Sequence, residues 1–219
     1  MSKTKTITIP SSWNEVTVLQ YQKIQMLDVT KYESNLTYMT EVIAILANTS
    51  KDYIGGVNVN NLVTLINEME WLNEPIKEDK KEEVLIGDDK YHWKGSFNSL
   101  TVGEMISIEQ VIDIEELSYV MAMDVILAVL LRKKLENGEL EDFDPKIFND
   151  RRELFSTLKI TDVYGMVLFF SSGEDSYTSN IKVCSTKGKM EKMNLLKKSW
   201  NWIKRLKRLV FRQDGNGSV

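Results

Sequence analysis

Two helix-start signals, 84 residues apart, constrain the fold of this chain more than any other feature of its sequence. Thr17-x-x-Gln20 and Thr101-x-x-Glu104 both have the spacing of a capping box, in which two side chains bond to each other's backbone N–H groups. Apolar residues follow both signals at helical spacing: Val18, Tyr21, Ile24 and Leu27 after the first, and Val102, Met105, Ile108 and Val111 after the second. The signals predict a mainly α-helical fold, with the first helix ending near Asp28.

Further helices are predicted around these two. Apolar spacing indicates a second helix from Leu36 to about Ala47. After the Gly55-Gly56 break, Asn60-Asn61 are expected to cap a third helix, because asparagine side chains satisfy the free N–H groups of a first turn. The run from Leu117 to Leu131 is apolar almost all round, and we expect it to be buried on more than one side.

A small β-hairpin is predicted between two helical halves. Val84-Leu85-Ile86 and Tyr91-His92-Trp93 read as strands, and Gly87-Asp88-Asp89 between them suits a turn that requires positive φ. The predicted fold is mainly α: two weakly repeated helical halves with the hairpin between them and a C-terminal basic amphipathic helix. The predicted boundaries are a first helical half at 1–73, a linker and hairpin at 74–96, a second helical half at 97–172, a polar connector at 173–189, the basic helix at 190–212 and a disordered tail at 213–219.

Three sequence similarities occur in the same order in the two halves and indicate duplication. The first is the pair of capping boxes. The second joins Leu36-Thr-Tyr-Met to Leu117-Ser-Tyr-Val, and the third joins Val57–Leu62 to Leu158–Val163. The second copy would then have gained material, chiefly residues 132–152. The alternative interpretation is two unrelated helical hairpins.

Charge is divided unevenly along the chain. Residues 1–181 contain 17 Lys and Arg against 30 Asp and Glu, whereas residues 182–219 contain 11 against 2. The net charge of −4 therefore combines a body of −13 with a C-terminal part of +9. Such a division is typical of an interaction tail, or of attraction between two parts of one molecule.

The basic segment 190–212 is amphipathic when placed on a helical wheel. Its apolar arc contains Leu195, Leu196, Trp200, Trp202, Ile203, Leu206, Leu209 and Val210. The residues predicted to contact a protein partner, a membrane or nucleic acid are Lys197, Lys198, Trp200, Trp202, Lys204, Arg205, Arg208 and Arg212. Three interpretations stay open: docking on the acidic body or on a partner, lying in a membrane interface, and contact with DNA or another nucleic acid.

The sequence carries little equipment for catalysis, so we expect no enzyme, no cofactor, no metal and no small-molecule substrate. It has a single histidine, His92, and a single cysteine, Cys184, whereas nucleophilic triads need a positioned imidazole and zinc sites need several His or Cys ligands. The densest acidic group matches no calcium-loop spacing and is interpreted as a solvated loop: Glu139, Glu141, Asp142 and Asp144. Neither a membrane span nor a signal peptide is predicted.

Three segments within residues 9–170 resemble a group of proteins from tailed phages of Bacteroidota, including crAss-like phages. They are Ile9-Pro-Ser-Ser-Trp-Asn-Glu-Val-Thr17 with Gln20-Tyr21, Phe97-Asn-Ser-Leu-Thr-Val-Gly-Glu104 with Ile106–Glu109, and Asp162-Val-Tyr-Gly165 with Phe169-Phe170. The resemblance implies a virion structural protein, such as internal cargo held with the portal or tail, or a tail assembly chaperone that leaves before maturation. Its partners would be other virion proteins, and its locations the host cytoplasm during assembly and the virion. No functional residue transfers, because the shared motifs mark helix starts.

Overall fold

The computed structural model describes residues 7–77, 81–95, 99–114, 117–118 and 121–178. These residues form eight α-helices and a three-stranded antiparallel sheet, which confirms the predicted mainly α fold with its small hairpin. The helices are α1 (Val18–Met26), α2 (Asn35–Leu46), α3 (Lys51–Gly55), α4 (Val59–Glu68), α5 (Val102–Ile114), α6 (Met123–Leu130), α7 (Phe148–Ser156) and α8 (Ile160–Thr178). The strands are β1 (Glu83–Ile86), β2 (Asp89–Trp93) and β3 (Leu131–Lys133).

The first capping box forms as predicted and also holds the next helix. The Thr17 Oγ1 atom accepts a hydrogen bond from the Gln20 backbone N–H at 3.2 Å, and Gln20 Oε1 accepts one from the Thr17 N–H at 2.9 Å. The amide nitrogen of Gln20 then donates to the carbonyls of Ile45 and Leu46, at 3.3 and 3.0 Å. These carbonyls lie at the end of α2, where backbone acceptors lack partners within the helix. One side chain therefore starts α1 and caps α2.

The third predicted helix begins earlier than expected. Asn58, rather than Asn60 or Asn61, is the N-cap of α4, and its side chain accepts from the Asn60 N–H at 2.9 Å. Asn60 and Asn61 lie inside the first turn, so the predicted cap was wrong by two residues. The sequence interpretation also missed α3, a short helix whose N-cap Ser50 accepts from the backbone N–H of Tyr53.

The sheet contains the predicted hairpin and one strand more. Ile86 pairs with Asp89, so Gly87 and Asp88 form a two-residue turn. Gly87 has φ +59° and Asp88 does not have positive φ, the sign pattern of a type II′ turn. The added strand β3 pairs with β2 through Trp93↔Leu131 and Tyr91↔Lys133. Leu131 was expected to end a helix, but pairing with the hairpin draws it into the sheet.

Helix α6 is the centre of the core. Seven of its eight residues are buried, which confirms that the apolar run is covered on several sides, although the helix begins only at Met123. Side chains of opposite charge lie at its two ends. Asp124 in the first turn accepts hydrogen bonds from Arg152 and Gln22, and Arg132 donates to the carbonyl of Ala128 near the C-terminus. A carboxylate at the start and a cation at the end both stabilise the helix dipole.

The two halves share one hydrophobic core. Residues before α1 pair with residues before α8: the Val18 N–H donates to the Leu158 carbonyl and the Ile160 N–H to the Val16 carbonyl, both at 2.9 Å. The rings of Tyr21 and Tyr164 meet edge to face at 6.0 Å. The predicted halves are therefore packed as one body.

The helix starts of the two predicted halves support a duplication, but the packing of the two halves does not. Both α1 and α5 begin directly after a capping-box threonine, and α4 and α8 begin at the third residue of their matched segments. Leu117, the counterpart of Leu36, lies outside any helix. Lys159 bridges to Thr17, yet among the described residues no bridge joins the equivalent pair, Asn58 and Thr101. The resemblance is local.

The C-terminal predictions lie mostly beyond the described residues. Helix α8 reaches Thr178, inside the range 173–189 that was predicted to be a polar connector. The rest of that connector, the basic segment 190–212 and the tail 213–219 lie outside the described residues. Within the described ranges, no helix combines the length and the apolar character needed to cross a membrane.

Candidate functional site

The outer side of helix α5 exposes three large apolar side chains. Among its 13 residues only Glu104 and Ile108 are buried. Val102, Ile106 and Ile114 are 77%, 45% and 81% exposed, respectively. We call these three residues, with the exposed carboxylates Glu109 and Asp113, the α5 outer face. An apolar row rimmed by polar side chains is typical of a surface that contacts another protein segment.

Val102 begins the apolar spacing of Val102, Met105, Ile108 and Val111 that predicts this helix, yet its side chain is exposed. The four residues therefore do not form one buried face. A helix turns by about 100° per residue, so a spacing of three residues drifts by about 60° at each step. Val102 and Val111 consequently end on opposite sides, and only Ile108 is fully buried.

A buried carboxylate holds the inner side of α5. Glu104 is 1% exposed, and both of its oxygens accept hydrogen bonds from Lys94 Nζ at 2.7 Å. Oε1 also accepts from Arg132 at 3.0 Å, and Oε2 accepts from the Thr101 backbone N–H at 2.7 Å and from its hydroxyl at 3.0 Å. The second capping box is thus confirmed, and its glutamate also ties α5 to the sheet.

The charges of this cluster persist despite burial. Burial raises the pKa of Glu104, but the hydrogen bonds from Lys94 and Thr101 outweigh it and leave the pKa below its ordinary value of 4.5. Burial and the nearby charge of Arg151 lower the pKa of Arg132. A guanidinium starts from so high a pKa that it stays protonated at neutral pH. Glu104 and Arg132 therefore form a buried ion pair.

Backbone carbonyls and the Phe143 ring position Arg132 against this carboxylate. Arg132 is fully buried in β3, donates to the carbonyls of Ala128 and Leu131 at 3.1 Å, and lies over the Phe143 ring at 5.2 Å. On its other side, Arg151 of α7 pairs with Glu141. The Glu104 contacts thus anchor the inner side of α5 to the sheet, on the side of the helix opposite Val102 and Ile106.

The residues predicted to make contacts belong to the basic segment 190–212. Lys197, Lys198, Trp200, Trp202, Lys204, Arg205, Arg208 and Arg212, like Cys184, lie outside the described residues. His92 is a strand residue whose Nδ1 lies 3.6 Å from Glu83 Oε2.

The acidic loop is partly engaged in structure. Glu141 pairs with Arg151 and accepts from the Lys133 N–H, and Asp144 accepts from the Lys146 N–H. Among the described residues, no three His, Cys, Asp or Glu side chains gather in a way that could hold a metal ion. The sequence analysis missed the α5 outer face, although Ile106 and Ile114 fall outside the apolar register and gave a signal for it.

Comparison with known proteins adds no relative. No protein family model, no curated protein and no solved structure matches the chain. The surfaces and charges of the chain itself are therefore the basis for a function.

Proposed function

We propose that the protein is a non-enzymatic structural protein of a tailed-phage virion, internal cargo of the portal or tail region that acts through protein–protein contacts. The observation that carries the contact role is the α5 outer face, where Val102, Ile106 and Ile114 are exposed in a row. Covering such side chains releases about 25 cal/mol per Å² of apolar surface. A partner helix or sheet that covers them would gain binding energy from this burial.

The anchoring of α5 supports the same role. Glu104, Lys94 and Arg132 fix the inner side of the helix, so the outer face needs no rearrangement to bind. Preorganised surfaces bind more tightly, because less conformational entropy is lost on association. The assignment to a virion is supported by the resemblance of residues 9–170 to phage proteins and by the divided charge of the chain.

Mass spectrometry of purified particles tests the virion role. We expect the protein at a fixed copy number in particles purified from infected cells. The ratio of this protein to the other virion proteins should be comparable in the particles and in the cell lysate. A protein abundant in the lysate but missing from the particles would instead be a tail assembly chaperone, and the virion role would be refuted.

A surface substitution tests the contact role in the same particles. Ile106→Asp places a charge in the centre of the α5 outer face, and we expect it to lower the copy number at least tenfold while the protein stays folded. Leu85→Asp is the matched control, because Leu85 is 64% exposed on β1, away from α5. Equal incorporation of both variants would remove α5 from the contact.

A further inference from the structure

We infer that the α5 outer face is the docking site for residues 190–212 of the same chain. The inference rests on the contact surface used in the proposed function and names its first occupant: in the free protein the basic segment covers α5, and a virion partner displaces it. Two surfaces that each require apolar cover are thereby buried against each other.

Apolar matching is the first argument. The outer face presents Val102, Ile106 and Ile114 along a helix of 13 residues. The segment 190–212 places eight apolar residues on one helical arc, among them Trp200 and Trp202. An amphipathic helix that lies along a second helix buries such an arc at i, i+3, i+4 and i+7 positions.

Charge complementarity is the second argument. Helix α5 contains Glu104, Glu109 and Asp113 and no lysine or arginine, and Glu109 and Asp113 are exposed. Six cations occupy most of the opposite side of the helical wheel of the basic segment, and Lys198 and Lys204 among them lie next to the two edges of the apolar arc: Lys197, Lys198, Lys204, Arg205, Arg208 and Arg212. Opposite charges at the rim of an apolar contact fix its orientation and register.

The other exposed apolar side chains fit this occupant less well. Leu19 and Met26 lie seven residues apart on α1, but Lys23 lies between them on the same side and would repel a cationic segment. Val59 and Leu85 lie on separate elements, α4 and β1. Leu36, Tyr53, Leu135 and Ile147 are likewise single exposed apolar residues on other segments. Among the residues that the structure describes, α5 alone combines several exposed apolar residues with carboxylates and no cation on one helix.

The connecting chain has a maximum span similar to the size of the body. Helix α8 ends at Thr178, and residues 179–189 separate it from the basic segment. Eleven residues span up to about 36 Å when extended. That length is comparable to the diameter of a body of roughly 170 residues, whose radius of gyration is about 16 Å. A tether of this length also gives a local concentration in the millimolar range, so a partner must compete with it.

Zero-length carbodiimide cross-linking of the full chain, followed by peptide mass spectrometry, tests the inference. The reagent joins a lysine amine to a carboxylate in direct contact. We expect cross-links from Glu109 or Asp113 to lysines of 190–212 in the monomeric protein. The double variant Glu109→Lys with Asp113→Lys should reduce the yield of these cross-linked peptides at least tenfold. Adding Lys204→Glu with Arg208→Glu to that variant should restore a cross-link between the same two segments.

A control variant and an isotope-labelling experiment establish which results would overturn the inference. Glu136→Lys with Glu153→Lys makes the same charge change at two exposed carboxylates away from α5 and should leave the cross-links unchanged. In a mixture of ¹⁵N-labelled and unlabelled protein, cross-linked peptides should carry one label only. Mixed labels would identify a second copy as the occupant, and no cross-link to α5, or one insensitive to the α5 substitutions, would also overturn the inference.

The two proposals fail in different measurements. Particles that contain the protein, together with an uncovered α5 outer face in the free chain, would retain the proposed function and remove the docking. Intramolecular cross-links in a protein that never enters particles would retain the docking and remove the virion role.

Discussion

Gln20 and Glu104 occupy the same position in the two capping boxes, and their different chemistry follows from different long-range partners. The Gln20 amide can donate, and it does so to two carbonyls at the end of α2. The Glu104 carboxylate can only accept, and it accepts from Lys94 and Arg132. The fourth residue of each box therefore has two roles: it stabilises the start of its own helix and joins that helix to another element.

Replacing the buried carboxylate should be costly. In the Glu104→Gln variant the capping spacing is kept, but the buried Arg132 loses the carboxylate that pairs with it directly. We expect the free energy of unfolding to fall by about 3 to 5 kcal/mol. Urea denaturation measures the change, with Glu109→Gln as the control on the same helix, where a change within about 0.5 kcal/mol is expected. Equal effects would contradict a structural role for the ion pair.

The stability contributed by Glu104 should depend on pH. Its folded-state pKa lies below the ordinary value of 4.5, so the unfolded chain binds more protons in that range. The contribution is present above the unfolded pKa and is lost as the pH falls through the folded pKa. The stability difference between the wild type and Glu104→Gln should therefore be constant near pH 7 and shrink below about pH 4.5. Chemical denaturation across this range measures it, and a difference that does not shrink would contradict the pKa shift.

At the scale of elements, local signals set the boundaries while neighbours set the exposed sides. The hairpin turn and both capping boxes lie where the sequence places them. The sides of α5 do not follow from its own apolar residues, because the Glu104 ion pair turns the helix so that Val102 and Ile106 lie outward. A charged residue can therefore decide which apolar residues of a helix are exposed.

Two glycine substitutions should have opposite effects on stability. Gly87 has φ +59° in the hairpin turn, so Gly87→Ala should destabilise the protein by about 1 to 2 kcal/mol. Gly103 lies in the first turn of α5, and a Cβ there meets no atom within 4 Å. Gly103→Ala should raise stability by up to about 1 kcal/mol. Thermal unfolding monitored by circular dichroism compares the stabilities of the two variants. Destabilisation by Gly103→Ala would contradict the free space around the Cβ position of residue 103.

At the scale of the whole molecule, the two predicted halves depend on each other. Tyr21 packs on Tyr164, Gln22 bonds to Asp124, and the segments before α1 and α8 form a bridge. These contacts join residues about 100 positions or more apart. A protein joined in this way should unfold as one cooperative unit.

A core substitution in the second half should therefore weaken the first. Phe155 is fully buried in α7 and packs edge to face on Tyr91, so Phe155→Ala should cost about 3 to 5 kcal/mol. Hydrogen exchange should show the slowest amides of α2 losing a similar amount of protection. Leu135→Ala, at an exposed position, is the control. Unchanged protection in α2 would mean that the halves unfold independently.

The sequence by itself determined the helix starts at Thr17 and Thr101, the hairpin turn at Gly87 and the buried helix around Leu127. Each of these depends on the conformational preferences or the apolar character of a few neighbouring residues. Tertiary structure alone decided that Leu131 leaves its helix for the sheet, that Glu104 is buried, and that α5 exposes an apolar row. These features depend on partners many positions away, such as Arg132 for Glu104, and local preferences carry no information about such pairs.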